Sequence, residues 1–349
     1  MTQPTDATTP TAPTTPTATT TKSMRAIVQD RYGTAEVLRF AEQPVPEIGD
    51  DDVLVRVHAA GMDRGTWHLM VGLPYLIRLG YGFKGPRQPV AGIDLAGTVV
   101  ATGSKVTRFN EGDEVYGTGR GTFAEYAAAP ESKLAAKPTN LSFERAAAVP
   151  VSALTALQGL TDVGQVADGQ HVLITGASGG VGTYAVQLAK ALGTEVTGVA
   201  STSKLDLVRS LGADHVLDYT RGEFPDDPQR YDLILDIAGN TSVAKLRSLL
   251  AKKGTLVIVG GEEGGRWLGG IDRNLRALAL SPFVSQRLTM FISKETHVDL
   301  ERLTAYIESG DLVPSVDSIV PLADAPDAMR RLESGDVRGK IVVSIAEHS

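Results

Sequence analysis

Residues 171–193, HVLITGASGGVGTYAVQLAKALG, constrain the fold more than any other stretch of the chain. Val172, Leu173 and Ile174 run together without polar residues between them, the pattern of a strand buried on both faces of a parallel sheet. Gly176, Gly179 and Gly182 follow at three-residue spacing and open an amphipathic helix expected over 180–192. In such a strand–turn–helix unit the glycines let the chain turn tightly. They also let backbone N–H groups reach a pyrophosphate and let the helix pack close on the sheet. Ala177 stands where the first glycine of G-x-G-x-x-G would be. A glycine pattern alone is weak, but here a strand precedes it, a helix follows, and a second strand is expected at 195–200. A tight turn without a ligand is the alternative; the context favours a dinucleotide.

The same letters, TGASGGVG, fit the T-G-x-x-x-G-x-G of short-chain dehydrogenases. Those enzymes carry the loop at the N-terminus and follow it with Tyr-x-x-x-Lys. Here the loop lies mid-chain, and no tyrosine has a lysine four residues later. The second strand ends in VASTSKLD, so Ser201, Thr202, Ser203 and Lys204 occupy the turn where an NAD site places a carboxylate. Small hydroxyls and a cation suit the 2′-phosphate of NADPH instead. Ser203 capping the next helix, with Lys204 solvated, is compatible with that reading, because a phosphate at a helix N-terminus uses the same N–H groups.

Residues 151–285 alternate strands and helices, the rhythm of a doubly wound parallel sheet, whereas 24–150 are strand-rich, with strands expected at 24–29, 53–60, 95–101 and 114–117. After 286 come a helix at 298–309, a strand near 315–320, a helix at 323–333 and a last strand at 340–345. Residues 1–23 are almost all Thr, Pro and Ala, read as a disordered tail without the features of a secretory signal or organelle presequence. The chain has 349 residues, 42% of them hydrophobic and 21% charged, enough to bury a core. Its net charge of -7 and scattered basic residues argue against nucleic acid or an anionic membrane as partner. The absence of cysteine excludes disulfides and thiolate metal sites, and no apolar run is long enough to span a bilayer. A cytoplasmic protein is the expectation.

VRVHAAGMD, VAGIDLAGTVVATG, FNEGDEVYG, AAAVPVSALTA, the glycine loop, KLDLVRSLGADHVLDY, YDLILDIAG, GTLVIVGG and GKIVV occur in this order. In order and spacing the chain resembles the medium-chain dehydrogenase/reductase superfamily, in its zinc-free quinone oxidoreductase (zeta-crystallin-like) branch. The resemblance covers nearly everything from Met24 onward. It implies an α/β fold: a GroES-like, β-rich catalytic domain over 24–150, interrupted by a Rossmann cofactor domain over 151–285, with 286–349 returning to the first. It also implies a cleft between the domains and a homodimer. Zinc members carry a Cys after the third strand and a Gly-His-Glu further on. Here those sites read Gly61-Met62-Asp63 and Gly92-Ile93-Asp94, and Ile93 offers no donor to zinc. The expectation is therefore no metal. Without a Lewis acid for simple carbonyls, hydride transfer to an electron-poor quinone or enone remains feasible.

The resemblance places Thr155 near the nicotinamide and phosphates, Gly179, Gly180 and Val181 on the pyrophosphate, and Ser201 and Lys204 on the 2′-phosphate. Tyr219 would border the same pocket or stand as a surface aromatic. Ala238 and Gly239, then Gly260 and Gly261, end parallel strands, where such sheets bind ligands. The stretch GMDRGTWHLMVG departs from the family pattern, with Asp63 at an Asn position and His68 at a Tyr position. His68 would suit protonation of an enolate near neutral pH, and Asp63 could orient the carboxamide or a substrate hydroxyl. Alternatively, Asp63 caps a short helix over 64–71 and His68 rides on it. Tyr75, Tyr81 and Phe83 could form a lid. The leading reading is an NADPH-dependent reductase of quinones or enones. A zinc-free NADP-dependent alcohol or carbonyl dehydrogenase and a non-catalytic NADPH-binding, crystallin-like protein remain as alternatives.

Overall fold

The computed structural model describes residues 22–222, 224, 230–260 and 271–345. The chain opens with an antiparallel ribbon, β1 (Ser23–Val28) against β2 (Arg39–Pro44). It continues through β3 (Asp52–Met62), helix α1 (Arg64–Val71), β4 (Asp94–Thr102), β5 (Glu114–Thr118), β6 (Tyr126–Pro130) and β7 (Leu134–Ala136). Val53, Val55, Val57 and Ala59 of β3 are buried and alternate with partly exposed residues, the two-residue period of a strand with one face on a core.

Helix α2 (Pro150–Gln158) leads into β8 (His171–Thr175), α3 (Gly180–Ala191), β9 (Glu195–Ala200), α4 (Leu205–Ser210) and β10 (His215–Asp218). Then follow β11 (Tyr231–Asp236), α5 (Val243–Leu249), β12 (Leu250–Ile258), α6 (Ile271–Leu280) and β13 (Arg287–Met290). Helix α7 (His297–Glu308), β14 (Val316–Pro321), α8 (Ala325–Glu333) and β15 (Lys340–Ser344) complete the described chain.

One sheet is parallel throughout and runs β10-β9-β8-β11-β12-β13. This is the Rossmann order 3-2-1-4-5-6, with its direction switch between β8 and β11, and such sheets bind ligands beyond the strand ends at that switch. The other sheet runs β14-β15-β3-β4-β5-β7, with β6 paired to β3, so the C-terminal strands do return to the first domain. The expected α/β architecture is therefore present.

One boundary moves. The sixth Rossmann strand, β13, lies beyond the expected domain end at 285. Helix α7, expected in the returning segment, packs on both domains: Leu300, Leu303 and Ile307 join a cluster that holds Leu154, Tyr184 and Leu233 of the cofactor domain together with Ala59, Ala96, Tyr116 and Ala135 of the first. Tyr116 of β5 donates its hydroxyl to the Leu300 carbonyl (2.7 Å), tying α7 to the first domain.

Candidate active site

The glycine loop lies at the end of β8, on the ligand-binding side of the switch. Its glycines have separate reasons. Gly176 has a φ of +68°, which a side chain would strain. A Cβ on Gly182 would stand 2.1 Å from the Gly176 carbonyl oxygen, so this glycine is required where α3 packs on the loop. Gly179 has neither reason. Its φ is -85° and an added Cβ would meet only the Gly176 oxygen at 3.5 Å. It is the N-cap of a 12-residue helix without a side-chain cap, so the first N–H groups of α3 face that open space. A phosphate fits this cradle.

The loop touches the returning strand. Gly179 bridges Gly339, whose N–H donates to the Ser178 carbonyl at 2.9 Å. The next residue, Lys340, is 1% exposed, and its Cδ lies 3.2 Å from where a Cβ on Gly180 would be. Its Nζ donates to Asp94 Oδ2 at 3.0 Å and stands 3.7 Å from Asp63 Oδ2. Asp94 is fully buried and its other oxygen accepts from Val151 N (3.0 Å) at the start of α2. Burial drives the Asp94 carboxyl up, to about 8, against the pull of Lys340, with Asp63 adding to the rise. The Lys340 side chain thus stands between Asp63 and Asp94, with Asp94 at the Glu position of the family's Gly-His-Glu.

Beside Asp94, Ile93 lines a cavity of about 230 Å³ in the first domain, with Leu69, Met70, Val90 and Thr66 among its walls, Arg120 and Lys133 also lining it, and Glu295 contributed by the segment before α7. Asp63 is buried and caps α1, with Oδ1 accepting from Thr66 N at 2.7 Å. His68 lies on the same helix but is not among the residues lining the cavity. Its Nδ1 faces the Leu73 carbonyl at 2.9 Å, the arrangement of a donating Nδ1–H, and its ring meets Trp67 edge-on. Of the three expected lid aromatics, only Tyr81 borders the cavity. Tyr75 instead stacks with Arg78, and Phe83 is exposed.

The turn after β9 places Ser201 and Lys204 together. Ser201 makes no side-chain capping bond, while Thr202 donates to the buried Asp218 at the end of β10 and so fixes the turn. Lys204 Nζ donates to the carbonyls of Gly335 (2.8 Å) and Val337 (2.9 Å), leaving one of its three N–H groups. Partial burial and the nearby Arg338 lower its pKa, with Asp336 and Asp317 opposing. Arg338 pairs with Asp206 at 2.7 Å. The capping role considered for Ser203 gives way to a turn over Thr202–Lys204, with α4 starting at Leu205. Tyr219 is exposed at the neighbouring strand end.

At the switch itself, Thr175 Oγ1 donates to Asp236 and accepts from the N–H groups of Ile237 and Ala238. Gly239 has a φ of +75°, and a Cβ on Gly260 would collide with the Ile237 oxygen at 1.9 Å, so both glycines have structural reasons. Thr155 is buried in α2 and donates to the Val151 carbonyl at 2.7 Å, near Ser293. Gly261 lies outside the described residues. The sequence reading missed the Lys340–Asp94–Asp63 cluster and Arg338. The signal available was a lysine opening an otherwise apolar strand, KIVV.

Residues 49–139 match the alcohol dehydrogenase GroES-like domain family, and residues 211–343 match the zinc-binding dehydrogenase family. The chain is 35% identical to the NADPH-dependent alkenal/one oxidoreductase, chloroplastic, of Arabidopsis thaliana, covering 92% of this chain and 80% of that protein. The chain belongs to the medium-chain dehydrogenase/reductase superfamily, in its zinc-free quinone oxidoreductase branch. It is an oxidoreductase of nicotinamide-cofactor type. Two solved structures resemble this oxidoreductase over most of its length. The quinone oxidoreductase from Coxiella burnetii has a TM-score of 0.79 at 29% identity, covering 93% of this chain and 100% of that one. A mycobacterial protein complexed with NADPH has a TM-score of 0.76 at 28% identity, covering 92% and 100%. Among the described residues, no helix of the oxidoreductase is long and apolar enough to cross a membrane.

Proposed function

We propose that this oxidoreductase reduces a quinone or an α,β-unsaturated carbonyl with NADPH and without a metal. The observation that carries the reading is the apolar cavity bordered by Ile93, one residue from the Asp94–Lys340 pair that adjoins the glycine loop. NADPH, when bound, supplies the hydride. The chain's own work is to bind, orient and exclude water. The N–H groups of Gly180 and Val181 take the pyrophosphate beside Gly179, whose own N–H donates to the Gly176 carbonyl at 3.1 Å, and the N-terminus of α3 strengthens the hold. Ser201 and the remaining N–H of Lys204 take the 2′-phosphate, with Arg338 close by and exposed Tyr219 at the rim. Thr155, Ala238, Gly239 and Gly260 border the nicotinamide end of the site in this reading.

The donor set does not suit zinc: Ile93 offers no donor atom, Asp63 caps a helix, and Asp94 holds Lys340. An acceptor whose double bond is already electron-poor needs no Lewis acid. Solvent supplies the proton in this reading, because Asp63 is engaged at the α1 cap and His68 points its Nδ1 at Leu73. The relatives named for alkenals and quinones support the acceptor class, and the NADPH-bound neighbour supports the cofactor. Two copies would pair along the edge strand β13, which is flanked by exposed Phe283 and Ile292.

The test is a screen of NADPH and NADH oxidation by chelator-washed protein over ortho- and para-quinones, enones and saturated aldehydes. Turnover with NADPH on quinones or enones supports the reading. Turnover restricted to saturated carbonyls, or tight NADPH binding with no turnover on any acceptor, would overturn it.

A further inference from the structure

The segment between α1 and β4 carries a feature that the reaction does not use. Residues 64–93 contain no Asp or Glu, in a chain with 41 of them and a net charge of -7, and they hold Arg64, Arg78, Lys84 and Arg87. A 3-10 turn at Tyr75–Ile77 runs into a helical turn at Arg78–Tyr81. Leu76 and Leu79 lie three residues apart there and so share a face. They are 49% and 68% exposed, and a Cβ on Gly80 would meet nothing within 4 Å. Tyr81 and Phe83 follow, 54% and 77% exposed. Chain geometry keeps Leu76 and Phe83 within about 15 Å of each other. Defined bonds hold these side chains outward. Tyr32 Oη donates to the Gly82 carbonyl (2.6 Å) and Arg87 N to the Tyr81 carbonyl (2.7 Å), so Phe83 and Lys84 stand at the tip of a closed loop. Arg78 donates to the Gly72 carbonyl (2.8 Å) and lies over the rings of Tyr32 and Tyr75. Burial raises the Tyr32 phenol pKa and both Arg78 and Arg87 oppose it, so the two guanidiniums stand near that hydroxyl. Asp30, whose backbone packs on Gly85, is an acid beside the loop, and the exposed Arg31 follows it.

We infer that residues 76–87 dock this protein on an anionic lipid surface, with Leu76, Leu79 and Phe83 entering the headgroup layer and Lys84 and Arg87 meeting its phosphates. Leu, Tyr and Phe beside Lys and Arg are the residue types that settle at such a boundary, the apolar side chains going inward while the cations reach back to the headgroups. The net charge of the whole chain hides this local excess of cations, and charge complementarity to lipid phosphate is confined to the strip. The apolar side chains project from a short turn and a loop tip, a shape that enters a soft layer more readily than it mates with a rigid protein face. The strip also borders the cavity, where Tyr81, Pro86 and Gln88 form part of the lining. Docking would therefore set the cavity against the bilayer, and a lipophilic acceptor could pass into it from lipid. That route rests on the reading of the cavity as the acceptor site; the docking does not.

The test floats the full-length protein with vesicles of phosphatidylcholine alone and of phosphatidylcholine mixed with phosphatidylglycerol, at low and high salt. The parent should float with the anionic vesicles at low salt, and much less with neutral vesicles or at high salt. Lys84→Gln/Arg87→Gln should weaken binding to anionic vesicles about twentyfold, at about fivefold for each cation. Leu79→Ser/Phe83→Ser should weaken it at least about tenfold. Both double variants should melt near the parent temperature, since all four side chains are exposed, and should reduce a water-soluble enone as the parent does. No flotation of the parent with anionic vesicles, or flotation of the variants equal to the parent's, would overturn the inference. So would loss of soluble-enone turnover in Leu79→Ser/Phe83→Ser with flotation kept, which would make the segment a lid over the cavity. A shift of that variant from dimer to monomer in sedimentation, with flotation kept, would overturn it in favour of a contact between copies. If the parent reduces no enone or quinone, the proposed function fails, and flotation alone still decides the docking face.

Discussion

A Cβ separates Gly179 from Gly182. At Gly182 it would be driven into the Gly176 carbonyl, while at Gly179 it would enter open space. Gly179→Val should therefore fold with a melting temperature near that of the parent and bind both NADPH and NADH much more weakly, whereas Gly182→Ala should melt lower. Cofactor titration and thermal melting of the two variants check this together. Lys204→Ala should weaken NADPH about tenfold and leave NADH nearly unchanged, because only the 2′-phosphate distinguishes the two and a charge-assisted bond is worth about 1.5–3 kcal/mol before screening. Equal losses would mean that the lysine serves as general surface charge. The placing of Gly179, Ser201 and Lys204 just beyond two strand ends was legible in the sequence, because it follows from local spacing. The carbonyls that hold Lys204 were not legible, since Gly335 and Val337 arrive from 131 and 133 residues away.

At the scale of elements, α1 was read from the sequence with its observed bounds, and its two candidate roles separate by face. Thr66, Leu69 and Met70 line the cavity and His68 does not. Asp63→Asn should keep the cap, whereas Asp63→Ala should cost about 1 kcal/mol of stability by chemical denaturation. His68→Phe should leave enone turnover within about twofold of the parent; a much larger drop in kcat with unchanged NADPH affinity would restore the protonation role. The strand β13 escaped the sequence reading because RLTM is four residues long, too short to show a period, and gains its place from pairing with β12. The helix α7 was expected at nearly its observed position in the returning segment, and it packs on both domains. Its amphipathic pattern shows that one face is buried and does not show against which core.

For the whole molecule, the Lys340–Asp94 pair joins the final strand to β4 beneath the cofactor loop, and it makes stability depend on pH. The folded protein holds the Asp94 carboxyl at about 8 against an ordinary 3.8, so the folded state binds the proton more tightly than the unfolded one. That contribution is complete below about pH 4 and is lost as pH rises toward 8. Asp94→Asn should flatten the fall in melting temperature between pH 5 and pH 8, whatever its absolute value; an unchanged slope would remove Asp94 as its source.

The central claim concerns where the hydride goes, and isotope transfer reads this directly. Chelator-washed protein is given NADPH deuterated at the transferring position of the nicotinamide and a cyclic enone, and the product is located by NMR. The account predicts a saturated ketone with deuterium on the β-carbon, formed at the same rate after metal removal. Deuterium on the carbonyl carbon of an allylic alcohol, or transfer that stops when metal is stripped and returns with zinc, would contradict it.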